Sequence, residues 1–305
     1  MVVGHWTDNH LLITYIYSFH MPALFIVSGF LFKPHAWYKT VLSFAIPIIF
    51  FSLTNLIVQL LIGEISFDAI QFPQLFFRIV HYRYGLGDSL FIGDWFLWAL
   101  LGLRFIFGDI SSLKVIRKYY FVITIVCVLY MTFEDYLVSI DTLFRGYLIG
   151  RMIPCLVFFC AGFFLFDRNW NPERVSTLYV IPLTLLFFIL PLFNGYCGIV
   201  SNDFGRSYLI FVANAILSSL LLFILSTKIP TTKFTKTIST GTLVVLGTHI
   251  PILHILNYFL PNIISFTFPF ITMIACYYIV LFCARHCPIL LGKWRNVAFT
   301  KEYSS

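Results

Sequence analysis

Nine stretches of the chain are apolar over a length that matches one crossing of a bilayer. They lie near residues 11–32, 39–62, 90–108, 119–133, 146–166, 175–193, 207–226, 240–260 and 263–284. A hydrocarbon core about 30 Å thick takes about 20 apolar residues as one helix. Lipid offers no hydrogen bonds to a bare backbone, so each stretch has to be helical. The pattern predicts an all-α fold, a polytopic integral membrane helix bundle of about nine spans. It forms a single domain over residues 1–305, with the last two spans joined by a tight Pro261-Asn262 turn. Composition closes off the soluble alternative: 60% of the residues are hydrophobic, 11% are charged, and 36 are Phe. A soluble domain carries about 25% charged residues. No internal repeat of 20–50 residues is visible.

Charge orients the bundle. One alternate set of loops, with the tail, holds Lys33, Lys39, Lys114, Arg117, Lys118, Arg168, Arg174, Lys228, Lys233, Lys236, Arg285, Lys293, Arg295 and Lys301. The other set holds Arg78, Arg83, Arg145 and Arg206 beside seven carboxylates. Lys and Arg concentrate on the cytoplasmic side of membrane proteins. The expectation is a cytoplasmic C-terminus, with 11–32 running inward. The net charge of +7 then faces anionic lipid and not nucleic acid. Seven scattered cysteines fit neither a disulfide framework nor the spacing of a zinc site. No metal is expected.

Ionisable residues inside spans are costly, at about 2.5–3.5 kcal/mol near the centre. His20 stands in "IYSFHMPALFIVSGFLF" (16–32), two residues before Pro22. Thr14, Tyr17, His20, Leu24 and Ser28 share one helical face, which should turn toward the protein interior. Pro22 frees the carbonyl near position 18 and kinks the helix there. His20 has two readings: a base in a cavity opened by the kink, or a packing residue bonded to the freed carbonyl. His249 poses the same choice, again with a Pro two residues later. His5 alone is a histidine near a terminus. Arg151, read as the Arg well within a span, suits an anion or snorkels to the interface. Asp94 and Trp95 open a span, where Asp is a good N-cap and Trp suits the interface belt. Neutral imidazoles in adjacent spans point to base chemistry on a hydroxyl, or to an acylated histidine.

"VVGHW" (2–6), "YSFHMP" (17–22), "SGFLF" (28–32), "WFL" (95–97), an F-F-x-x-G-x-x-L span (158–165) and a late-span His249 stand in that order. Together they resemble the membrane acyltransferase family 3, in its fucose 4-O-acetylase-like branch. The resemblance implies ten spans and transfer of an acyl group, usually acetyl. The donor would be cytoplasmic acetyl-CoA, and the acceptor a hydroxyl on a surface-polysaccharide or lipid-linked sugar. It also implies a bacterial inner membrane. The family's two essential histidines fall on His5 and His20. Its basic residue about ten positions before the first histidine would precede Met1, so the chain is expected to lack most of a first span. Its basic pair after the second span is altered here to Lys33, His35 and Lys39, of which Lys33 and Lys39 are the expected contacts for cofactor phosphates. The expected mechanism has His5 as base or acetyl carrier, with His20 or Arg151 stabilising an oxyanion. Tyr17, His249, Asp94 and Trp95 are further candidates for substrate contact. Two rival functions are a flippase of lipid-linked sugars, which would show inverted repeats, and an inactive, truncated family member.

Overall fold

The computed structural model describes residues 2–33, 36–66, 95–107, 110–133, 148–164, 171–199, 203–260 and 265–293. These form a helical bundle. A short α1 (Val2–Trp6) leads to α2 (His10–Tyr17), α3 (His20–Phe30) and α4 (Trp37–Leu61). Then come α5 (Trp95–Ile106), α6 (Ile110–Phe133), α7 (Leu148–Phe164) and α8 (Val180–Asn194). The last four are α9 (Tyr208–Ser226), α10 (Lys233–Thr240), α11 (Thr242–Phe259) and α12 (Phe268–His286). Each of the nine predicted spans has a counterpart, and the protein is an integral membrane protein. The short α10 was not foreseen. Its mix of Lys and Thr carries no apolar run, and a Thr232/Thr235 capping box starts it.

The distribution of polarity is the reverse of a soluble protein's. Leu53, Ile57, Ile125, Phe188 and Leu192 point outward and are about half exposed, and Phe121 more so. Ser18, Asn214, Ser218, Ser219, His249 and Thr272 are buried to within 1%. Water would drive that arrangement apart; lipid favours it, because apolar side chains lose nothing by facing hydrocarbon.

Successive spans alternate in direction, which gathers the charges at two ends. Lys33, Lys39, Arg174, Lys228, Lys233, Lys236, Arg285 and Lys293 lie in the connections and helix ends at one, hereafter the basic end. Asp8, Glu64 and Asp203 lie at the other, where Glu64 after α4 pairs with His254 Nδ1 of α11 at 2.9 Å.

The closest helix contact is between α3 and α7, which cross while both run toward the basic end. Gly29 faces the Phe159 carbonyl and Gly162 faces the Ile26 carbonyl so tightly that neither site has room for a Cβ. Small residues let helix backbones approach in this way where no hydrophobic effect drives them together. Phe25, Ile26, Leu97, Phe158 and Phe159 seal the core around this crossing. Trp95 belongs to that core and is 5% exposed, packed on Phe25 and Phe96. The interface-belt reading of Trp95 is therefore corrected: its place at the start of α5 is covered by α3.

The span read as continuous over 11–32 is broken. Helix α2 ends at Tyr17 and α3 starts at His20, with Phe19 between them at φ −144° and ψ −24°. Pro22 has no N–H to offer the Ser18 carbonyl. That carbonyl accepts instead from Asn214 Nδ2 of α9 at 3.4 Å, and Ser218 supports Asn214 from the next turn. A freed backbone group in a membrane needs such a substitute partner.

Candidate active site

The break in the second span brings together residues that are far apart in sequence. Helix α1 packs against α11, α12 and α2. This sets the His5 ring 5.3 Å from His249 of α11 and 6.2 Å from Tyr17, centroid to centroid. Tyr17 lies edge-on to His20 at 4.9 Å. Four rings from α1, α2, α3 and α11 thus form one cluster: His5, Tyr17, His20 and His249. His5 is exposed on α1, whereas His20 is 9% exposed and His249 only 1%.

The buried histidines have a defined tautomer. His20 Nδ1 lies 2.7 Å from the Ile16 carbonyl, and His249 Nδ1 lies 2.9 Å from the Val245 carbonyl. A carbonyl only accepts, so each Nδ1 carries the proton, and each Nε2 of the neutral ring presents a lone pair. His249 Nε2 is buried with no hydrogen-bond partner. Leaving such an atom unpaired costs about 1–3 kcal/mol, and it is tolerated most readily where a substrate or a catalytic partner completes it. His20 bonds the Ile16 carbonyl, one turn back, and not the Ser18 carbonyl that Pro22 frees and Asn214 takes up. A neutral His20 held in this tautomer accepts at Nε2 and does not donate there. The Tyr17 hydroxyl donates to the Gly4 carbonyl at 3.5 Å, which puts a hydroxyl donor in the cluster.

An apolar cavity of about 660 Å³ opens beside the cluster between α1, α3, α11 and α12, with His20, Leu24, Trp6, Val245 and Met273 in its wall. On the other side Tyr196 lies 5.8 Å from Tyr17 and 6.4 Å from His10. Tyr196 sits in the 195–207 connection, which Asn194 clamps. Its Nδ2 donates to the Phe204 carbonyl at 2.8 Å, its Oδ1 accepts from Ser207 N at 3.0 Å, and its carbonyl accepts from Arg206 N at 2.8 Å. Reading the sequence missed Tyr196, because a lone Tyr in a loop carries no signal without the contact.

The other candidates lie elsewhere. Lys33 and Lys39 are exposed at the basic end, away from the histidines. Arg151 is on α7, but its side chain, like Asp94 and His35, falls outside the described residues. Arg104 was missed. It lies three residues from the end of α5, with its guanidinium carbon 5.9 Å from the Phe32 ring and 5.4 Å from that of Phe44. The described residues hold no group of three or more side chains suited to a metal ion.

No curated protein and no solved structure matches the chain. The profile of acyltransferase family 3, described as an acyltransferase domain, matches residues 1–284. That span takes in the whole histidine cluster and every transmembrane helix up to the last two residues of α12. The chain belongs to acyltransferase family 3 and is a membrane acyltransferase.

Proposed function

We infer that the protein is an O-acetyltransferase. It takes an acetyl group from cytoplasmic acetyl-CoA and passes it to a hydroxyl of a surface-polysaccharide or lipid-linked sugar on the other side of the membrane. The observation that carries this reading is the meeting of His5, Tyr17, His20 and His249 in a family 3 acyltransferase chain. The basic end is then cytoplasmic, as Lys and Arg placement favours, and the carboxylate-bearing end faces outward.

The chemistry follows from the ring tautomers. His249 Nε2 is an acceptor, so it takes the N–H of His5 when the two rings turn toward each other. The second His5 nitrogen is then left as the base, the arrangement of a nucleophile, a base and a group that orients the base. His5 removes the acceptor's hydroxyl proton as the oxygen attacks the thioester carbonyl. The Tyr17 hydroxyl donates to the oxyanion. The carbon–sulfur bond then breaks, and the CoA thiolate leaves with the proton that His5 held. The apolar cavity beside His20 accommodates the acyl chain and keeps water from the thioester. Tyr196 and His10 offer a stacking surface to a sugar at the outer mouth. The sequence's opposite charge at the two ends suits a reaction whose donor and acceptor approach from opposite sides.

The test is the O-acetyl content of surface polysaccharide in a deletion strain complemented with the full-length gene or with His5→Ala. The expected result is acetyl restored by the former and not by a stably expressed His5→Ala protein. Equal O-acetyl content in the deletion and parent strains would overturn the reading for that polymer. It would leave the flippase alternative, to which a helix broken near its middle is also suited.

A further inference from the structure

We propose that Arg104 is the anchor of a phosphate-binding site at the basic end of the bundle, and that it fixes the phosphate-bearing head of the acyl donor. This rests on the reading of the protein as an acyl-CoA-dependent transferase, which left the donor's head to exposed lysines.

Arg104 is a partly buried cation with no counter-charge on it among the described residues. Its guanidinium carbon lies over the ring of Phe32, where α3 has just ended, at 5.9 Å and over that of Phe44, in the first turns of α4, at 5.4 Å. Its Nε is buried with no hydrogen-bond partner, and no ion pair reaches it among the described residues. Glu173 is the acidic residue described at this end, beyond α7; Asp109 lies outside the described residues. Two aromatic faces compensate part of the lost hydration through cation–π attraction. They hold the guanidinium in place without neutralising its charge, so an anion remains the partner that would complete it. A planar fork held in this way suits the bidentate geometry of phosphate. Lys33 directly follows Phe32, and Lys39 lies five residues before Phe44, so each ring is followed or preceded in the chain by a further cation. The partly buried Lys293, whose ammonium is pushed below its ordinary value by desolvation, follows the short Pro288–Leu291 turn packed on α4.

The site also dictates the shape of the donor. From Phe32 back to His20 is twelve residues along α3, roughly 18 Å at 1.5 Å per residue. A compact donor such as acetyl phosphate cannot hold Arg104 and still present its acyl group at His20. A donor whose phosphates and acyl group stand at opposite ends of a long thin arm can. A phosphate in this place has two sources, the donor's head or the headgroup of an anionic lipid.

The experiment uses the full chain in nanodiscs of neutral phosphatidylcholine, with CoA as the probe. Wild type is compared with Arg104→Met, Arg104→Lys and the exposed basic-end control Arg285→Gln, with phosphatidylglycerol nanodiscs as a second arm. Two readouts are taken, the melting temperature of the ligand-free protein and CoA affinity. Met is close to Arg in length, is neutral and fits between two Phe rings. The expected result is that Arg104→Met melts above wild type without ligand, because an unpaired buried charge has been removed. At the same time it binds CoA about tenfold or more weakly, Arg104→Lys falls between, and Arg285→Gln matches wild type. If CoA has no effect on wild type but phosphatidylglycerol raises its melting temperature, and Arg104→Met loses that rise, the phosphate site stands with lipid as its source and the CoA-donor reading fails. If Arg104→Met binds CoA as wild type does, the proposal is overturned while the donor reading survives. A lower melting temperature with unchanged binding would mean a packing role only, and would also overturn it.

Discussion

The crossing of α3 and α7 sets the position of His20, and it has no tolerance for a single added methyl. A Cβ built on Gly29 lies 2.9 Å from the carbonyl carbon of Phe159 and 3.2 Å from the Phe163 nitrogen, with the Phe159 oxygen nearer still. Ordinary carbon contacts begin at about 3.5 Å, so the carbonyl carbon alone requires the helices to part by at least ~0.6 Å. A gap of that order forfeits a quarter or more of each dispersion well along the seam. The obstacle is backbone on both sides, so no rotamer change relieves it. Gly29→Ala should therefore cost about 1–3 kcal/mol, and Gly162→Ala, which meets the Ile26 carbonyl, a similar amount. Once the helices have parted, the second alanine meets less resistance, so the double variant should cost clearly less than the sum. For a chain of this size each kcal/mol lowers the apparent melting temperature by roughly 2–4 °C. Temperature-ramped size-exclusion chromatography of a fluorescent fusion in detergent measures this directly. Acyl transfer by the surviving folded protein should also drop, because α3 carries His20. A Gly29→Ala protein that melts within about 1 °C of wild type, or a strictly additive double variant, would refute the close-crossing argument.

Two further outcomes are expected. His249→Gln retains a side-chain acceptor for His5 and should keep part of the activity, whereas His249→Ala should lose about 10²-fold or more in turnover; equal loss in the two would refute an orienting role for His249, and the check is the initial rate of acetyl transfer in membranes. In the outer connection, burial pushes the Cys197 thiol up to about 12, an effect that the bond from Asn194 opposes and the Asp203 charge reinforces. With its pKa raised, the thiolate that reacts is absent until pH approaches that value, so maleimide labelling of Cys197 should be slow at pH 8. Asn194→Ala removes the clamp on residues 195–207 and should speed labelling by opening the loop, and it should lower activity because Tyr196 is no longer held beside Tyr17; mass spectrometry of labelled peptides would show either result.

The bilayer made most of the architecture readable in the sequence. Apolar runs of the right length cannot be anything but helices in lipid, so nine spans and their alternation follow from the chain alone. So does the gathering of Lys and Arg at one end. The motifs "VVGHW" and "YSFHMP" also carried the family resemblance and its two histidines. What the sequence left open depended on contacts between distant segments. Pro22 announced a distortion, but only the packing of α9 showed a full break whose Ser18 carbonyl is taken up by Asn214. The glycines of "SGFLF" and of the 158–165 motif are equally small in any context; their role as a backbone-to-backbone crossing exists only once α3 and α7 are placed together. His249 had two readings until α1 brought His5 to its ring and burial left its Nε2 without a partner. Arg104 drew no reading from the sequence, because its place beside Phe32 and Phe44 exists only once α3, α4 and α5 are packed together. Hydropathy is a local sum and is fixed by composition along a segment. The partner of a polar group is a non-local property, and the tertiary structure alone decides it.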